Sequence, residues 1–126
     1  MKKILFIEDE AAIQKTFGEI LSNAGYSFKS ALDGEVGLRM AKSEKPDLII
    51  LDLVLPKAHG LEVLSALKKD KETSGIPVII LTNIDGMAEV DKAIELGAAA
   101  YLIKTSYKLE EILEKIERVI SGQKLN

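Results

Sequence analysis

The chain has no cysteine and no tryptophan, a single histidine and three prolines, and aromatic residues make up only 5% of its 126 positions. Each scarcity removes a class of chemistry. Without cysteine there is no disulfide, no thiolate nucleophile and no Cys-ligated metal. One histidine, His59, cannot build a His-based zinc site. The lack of cysteine also suits a reducing cytoplasm, the expected location. No apolar run approaches the roughly 18 residues that span a bilayer, and the apolar stretch after Lys2 and Lys3 is shorter than the about 7 residues of a signal peptide. With 17 basic and 20 acidic residues the formal net charge is -3. Charge is thus mild and no basic stripe stands out, so neither direct nucleic-acid contact nor membrane insertion is expected.

What is present is a good supply of core-forming residues, 47% hydrophobic against 29% charged, enough for one globular domain and too few positions for two. The most informative stretch is Leu48-Ile49-Ile50-Leu51-Asp52. A short Ile/Leu run introduced by Pro46 reads as a strand buried on both faces of a parallel sheet, with Asp52 at its C-terminal end. Lys3 to Ile7 repeats this and stops at Glu8-Asp9-Glu10. Tyr26 to Ser30, Val78 to Leu81 and Ala99 to Ile103 complete the strands, the last two ending in Thr82-Asn83 and Lys104.

Helices fall between them. Ile13, Phe17, Ile20 and Leu21 mark one face of a helix over Ala11 to Ala24, stopped by Gly25. Asp33-Gly34 opens a second helix to about Ser43, with Val36 and Met40 as its clearest inward pair. Leu61, Leu64 and Leu67 space a third, Met87 to Leu96 a fourth, and the run from Leu109 to Ile120 has the cleanest helical period. Lys68, Lys69 and Lys71 read as a solvated face, and His59 as an exposed loop residue.

Strands alternating with helices call for an α/β fold, a doubly wound parallel sheet joined by right-handed crossovers. Five strands suit the flavodoxin-like order 2-1-3-4-5 with five helices. In that order strands 1, 3, 4 and 5 are neighbours, so Glu8, Asp9, Asp52, Thr82 and Lys104 converge on one edge. Three carboxylates facing one lysine repel one another unless a cation compensates. Oxygen-only ligands favour a hard ion, Mg2+, with Mn2+ a substitute. Beside such a metal the Asp52 carboxylate is a candidate nucleophile for phosphoryl transfer. Lys104 and Thr82 are then partners for phosphoryl oxygens. Taken singly, each residue has a plainer reading: Asp52 as a helix N-cap, Thr82 as a turn cap, Lys104 as a surface charge.

Together, Glu8-Asp9, Asp52 followed by Pro56 and Gly60, Thr82, and Tyr101 three residues before Lys104 resemble the receiver domain of two-component response regulators, over essentially the whole chain. The resemblance implies that Glu8, Asp9, Asp52 and the Val54 carbonyl hold Mg2+, and that Asp52 accepts a phosphoryl group from the phosphohistidine of a sensor histidine kinase or phosphotransfer protein. It implies that Thr82 and Tyr101 form a switch altering the face made by the fourth helix, fifth strand and fifth helix, where a downstream protein partner reads the state. It also implies a monomer or a phosphorylation-dependent dimer, and slow self-catalysed loss of the phosphoryl group. In receivers the positions two beyond the acceptor and two beyond the threonine, here Val54 and Ile84, flank the path of hydrolytic water. Their apolar side chains imply a long-lived phosphorylated state.

Three positions depart from the pattern. Thr105 follows Lys104 where proline is usual, so a trans bond is expected. Asn83 stands where Ala or Gly is common, and His59 where Asp is common. These departures keep an alternative open, an atypical receiver that signals by protein contacts without phosphorylation. An enzyme of the haloacid-dehalogenase type would want a second acid two residues after the nucleophile, where Val54 stands. A flavodoxin-like nucleotide binder would want a glycine-rich loop after the first strand, where the acids stand. The expectation is a single receiver domain over residues 1–126, with no output domain.

Overall fold

The computed structural model describes residues 1–123 and 125. Five strands, β1 (Lys3–Ile7), β2 (Ser27–Ala31), β3 (Leu48–Leu51), β4 (Val78–Thr82) and β5 (Ala100–Ile103), alternate with α1 (Ala11–Asn23), α2 (Gly34–Glu44), α3 (Gly60–Lys69), α4 (Met87–Glu95) and α5 (Leu109–Ile120). All strand pairs are parallel and the order is β2-β1-β3-β4-β5. This is the α/β arrangement expected from the sequence.

Because successive side chains of a strand point to opposite faces, the apolar runs feed two cores. On one face Ile4, Phe6, Leu48, Ile50, Ile79 and Leu81 pack against Phe17 and Leu21 of α1 and Ile112, Ile116 and Val119 of α5. On the other, Leu5, Ile7, Ile49, Leu51, Val78 and Ile80 meet Ala41 of α2, Val63, Leu64 and Leu67 of α3 and Ala93 of α4. Phe6 and Phe17 lock the first core edge to face, with ring centroids 5.2 Å apart, a geometry that aromatic quadrupoles favour.

Several expectations need correction. In α1 the buried residues are Gln14, Phe17 and Leu21, while Ile13 and Ile20 are half-buried; the helix is turned so that a polar residue faces inward. In α2 the buried residues are Gly34, Gly37 and Ala41, and Val36 and Met40 lie at the margin of the core. The cause is close approach: a Cβ on Gly37 would meet Ile7 Cδ1 at 2.6 Å, so only a small residue lets the helix sit this near the sheet. Leu61 is likewise half-buried, with Val63 taking the inward place in α3. β2 begins and ends one residue later than expected. Lys68 is not part of a solvated face: its Nζ donates to the carbonyls of Ser74 (3.3 Å) and Ile76 (2.9 Å), tying down the turn after α3.

Candidate functional site

Strand register builds the site. Ile7 pairs with Leu51, so Glu8 and Asp52 are the next residues of adjacent strands, delivered side by side. β3 pairs with β4 through Leu51 and Ile80, which sets Thr82 just beyond the level of Asp52. Thr82 pairs with Ile103, and Lys104 follows at once. Glu8, Asp52 and Thr82 are buried, at 0%, 5% and 0% exposure, whereas Asp9 is exposed at the mouth.

The loop after β3 is held close by Gly60. Its N–H donates to the Leu53 carbonyl at 2.9 Å, and a Cβ there would lie 2.4 Å from Leu53 Cα and 2.5 Å from the Asp52 carbonyl oxygen. Glycine is therefore the residue that fits against the backbone of Asp52. His59 is exposed, as expected, and its Nδ1 accepts the Leu61 N–H at 3.1 Å, capping α3.

Lys104 Nζ donates to Asp52 Oδ2 at 2.8 Å and to Glu8 Oε1. Asp52 Oδ1 accepts the Val54 N–H at 3.2 Å, and the nearby Thr82 hydroxyl favours the charged form of the Asp52 carboxylate. The Thr82 oxygen in turn accepts the Ile84 N–H at 3.4 Å. Glu8 Oε2 accepts the Glu10 N–H at 3.2 Å. Carboxylate oxygens of Glu8, Asp9 and Asp52 all come within 4.8 Å of one another.

The protonation states follow from this packing. Burial pushes the Glu8 carboxyl up to about 7, against the hydrogen bonds from Lys104 and the Glu10 amide. Burial opposes ionisation of Asp52 too, but Lys104, the Thr82 hydroxyl and the Val54 amide outweigh it and hold that carboxyl below its ordinary value. Lys104 is partly desolvated, yet its hydrogen bonds to Asp52 and Glu8 raise it above the usual lysine range. Asp52 is thus a buried carboxylate whose charged form its neighbours favour, and the cluster of three carboxyl groups has one ammonium, paired with two of them. The donor set is all hard oxygen with negative charge in excess, which fits a divalent cation such as Mg2+.

Of the remaining predicted residues, Val54 is 61% exposed, Asn83 is exposed and Ile84 half-buried. The Tyr101 ring is half-buried and its hydroxyl donates to the Ile84 carbonyl at 2.7 Å, linking β5 to the loop that carries Thr82. Burial, with the negative charges of Glu89, Asp85 and Asp52, pushes the Tyr101 hydroxyl up to about 12. Among the described residues no peptide bond is cis; Lys104–Thr105 is trans as expected, and a single 3-10 turn, Lys104–Ser106, leads toward α5. Gln14 also reaches the site, donating to the Glu8 carbonyl at 3.1 Å, and hydropathy does not reveal it. Its signal was the 14–17–21 spacing shared with Phe17 and Leu21, masked because glutamine scores as polar.

The profile of the response regulator receiver domain matches residues 4–117. The chain belongs to this family. The receiver is 37% identical over 95% of its length to the DNA-binding dual master transcriptional regulator RpaA of Synechocystis, and 36% identical over 94% to the alkaline phosphatase synthesis regulatory protein PhoP of Bacillus subtilis. It spans about half of these curated relatives, 49% and 48% respectively. Its fold is similar to a CheY-like receiver domain protein of Methanospirillum hungatei, with a TM-score of 0.90 at 28% identity, covering 98% of this chain and 96% of that one. It is also similar to the Mn2+-bound form of response regulator Rcp1, with a TM-score of 0.78 at 30% identity, covering 97% and 94%. Among the described residues no helix is long and apolar enough to cross a membrane.

Proposed function

We propose that this receiver takes a phosphoryl group from the phosphohistidine of a sensor histidine kinase onto Asp52. The observation that carries this reading is the Asp52 carboxylate itself, 5% exposed yet kept ionised by Lys104, Thr82 and the Val54 amide. A buried carboxylate stripped of water but still charged is a prepared nucleophile. An Asp52 oxygen forms the new bond to phosphorus as the phosphorus–nitrogen bond to the donor imidazole breaks, and the bonding pair stays on that nitrogen.

Glu8, Asp9 and Asp52, with the Val54 carbonyl, would hold Mg2+, which when bound supplies positive charge opposite the phosphoryl oxygens. Lys104 exchanges its contact with Asp52 for one with the transferred group, neutralising charge as it arrives. Thr82, one residue beyond the level of Asp52, donates its hydroxyl to a second oxygen. That movement loosens the Ile84 amide, whose residue also accepts the Tyr101 hydroxyl. The bond from Tyr101 to Ile84 is the mechanical link by which the α4-β5-α5 face would report the state of Asp52 to a downstream partner. The relatives' names point to transcriptional control, so a longer protein acting on DNA is the whole-protein activity we propose for this chain's context, with residues 1–126 as its receiver domain.

The test is intact mass after incubation with acetyl phosphate and Mg2+. A gain of one phosphoryl group in the wild type, lost in Asp52→Asn, is expected. An unmodified wild type would favour the reading in which the domain signals by protein contacts alone.

A further inference from the structure

Gln14 is 6% exposed, and its Nε2 donates to three main-chain carbonyls: Phe6 at 2.8 Å, Glu8 at 3.1 Å and Ala31 at 3.1 Å. One amide nitrogen has two hydrogens, so three acceptors share them. Its Oε1 is buried without a hydrogen-bond partner, an unfavourable state for a buried polar atom. Flipping the amide would set Oε1 against three carbonyl oxygens, so the orphaned oxygen is the consequence of holding them.

What is held matters. The Glu8 carbonyl belongs to the peptide that joins Glu8 to Asp9 and lies past the end of β1. The Glu8 N–H donates to the Ala31 carbonyl at 3.0 Å. The main chain of Glu8 is therefore gripped on both sides, by Ala31 at its N–H and by Gln14 at its carbonyl. A planar peptide with a fixed carbonyl has a fixed direction of exit, and that direction is where Asp9 begins. Among the described residues the Asp9 carboxylate has no ion pair or hydrogen bond of its own, so the peptide before it is what restrains where its side chain starts.

We infer that Gln14 is a positioning residue, presetting the Glu8–Asp9 peptide so that both carboxylates converge on a divalent cation. The inference rests on the proposed metal-dependent function of this site. Orienting partners behind metal ligands commonly change affinity by about tenfold or more.

The test compares Mg2+ dissociation constants, read from amide NMR shifts, in the wild type, Gln14→Met and Phe17→Leu. Phe17→Leu disturbs the same buried face of α1 without touching Glu8 or Asp9. Gln14→Met is expected to weaken Mg2+ binding roughly tenfold while Phe17→Leu leaves it unchanged. An unaltered constant in Gln14→Met, or an equal loss in both variants, overturns the positioning role. If Gln14→Met does not fold, the wild-type side-chain amide of Gln14 decides: it should shift saturably with the Asp9 amide as Mg2+ is added, and a Gln14 signal that stays still overturns the inference. Asp9→Asn separates the underlying reading. Mg2+ binding of undiminished affinity in Asp9→Asn, or none in the wild type, overturns the metal site and the role of Gln14 with it.

Discussion

Two lysine–aspartate pairs in this molecule have the same 2.8 Å separation and little else in common. Lys42 and Asp70 join α2 to the end of α3 at the surface, with side chains 53% and 29% exposed. Lys104 and Asp52 meet at the ends of β5 and β3, with side chains 15% and 8% exposed. Solvent and salt screen the first, and such pairs contribute little. The second is desolvated, and its lysine is shared with Glu8, whose side chain is fully buried. A distance alone therefore says nothing about purpose. Burial and the number of claimants on one ammonium separate a surface contact from a site with charge left over for a ligand.

The largest effect should come from removing the shared ammonium. Lys104→Ala is expected to slow phosphorylation by acetyl phosphate on the order of a hundredfold, the usual cost of losing one group that meets developing charge. Rates of phosphoprotein formation would check this, and an unchanged rate would reduce Lys104 to a structural ion pair.

Next is the second claimant on that ammonium, Glu8. Glu8 titrates at 4.5 when unshifted and at about 7 when folded. The folded protein holds an extra proton between those values, so the stability of the metal-free protein falls as pH rises through that window. Asp52, held below its ordinary value, acts oppositely: its contribution is lost only as pH falls into the acid range. Glu8→Gln should flatten the decline and stabilise the metal-free protein at about pH 8 by on the order of 2 kcal/mol, while abolishing stabilisation by Mg2+. Thermal unfolding at several pH values would show it; a variant less stable than wild type at the higher pH would refute the desolvation argument.

A smaller effect is expected at Val54 and Ile84, which the resemblance to other receivers puts beside the path of hydrolytic water. Val54→Asn and Ile84→Lys should each speed acyl-phosphate loss by about tenfold, equivalent to about 1.4 kcal/mol in the barrier, and unchanged decay would remove them as determinants of lifetime. Smallest of all is the surface control: Lys42→Ala should leave unfolding at high salt and phosphorylation as in the wild type. A clear loss of either would mean that the contrast between the pairs has been drawn in the wrong place.

The site was legible in the sequence because strands announce themselves: Leu48 to Leu51 is continuous apolar, and Asp52 breaks it. Alternation gives a parallel sheet, and in the flavodoxin-like order 2-1-3-4-5 that five such strands suit, the convergence of Glu8, Asp52, Thr82 and Lys104 is geometry. The hidden parts share a cause. Gln14, Phe17, Leu21 in α1 and Gly34, Gly37, Ala41 in α2 are the inward residues, both sets spaced three and then four apart, yet glutamine, glycine and alanine carry little hydropathy for a pattern to detect. Lys68 reads as solvated for a related reason, because its value lies in two carbonyls across a turn that no local pattern reveals.

In the proposed reaction the carboxylate of Asp52 forms the bond to phosphorus. Borohydride reduction of protein treated with acetyl phosphate and Mg2+, followed by peptide mass mapping, tests it directly, since reduction converts an aspartyl phosphate to homoserine. Homoserine is expected at position 52 alone, dependent on Mg2+. Modification at another residue, or none in protein that is fully folded, would contradict it.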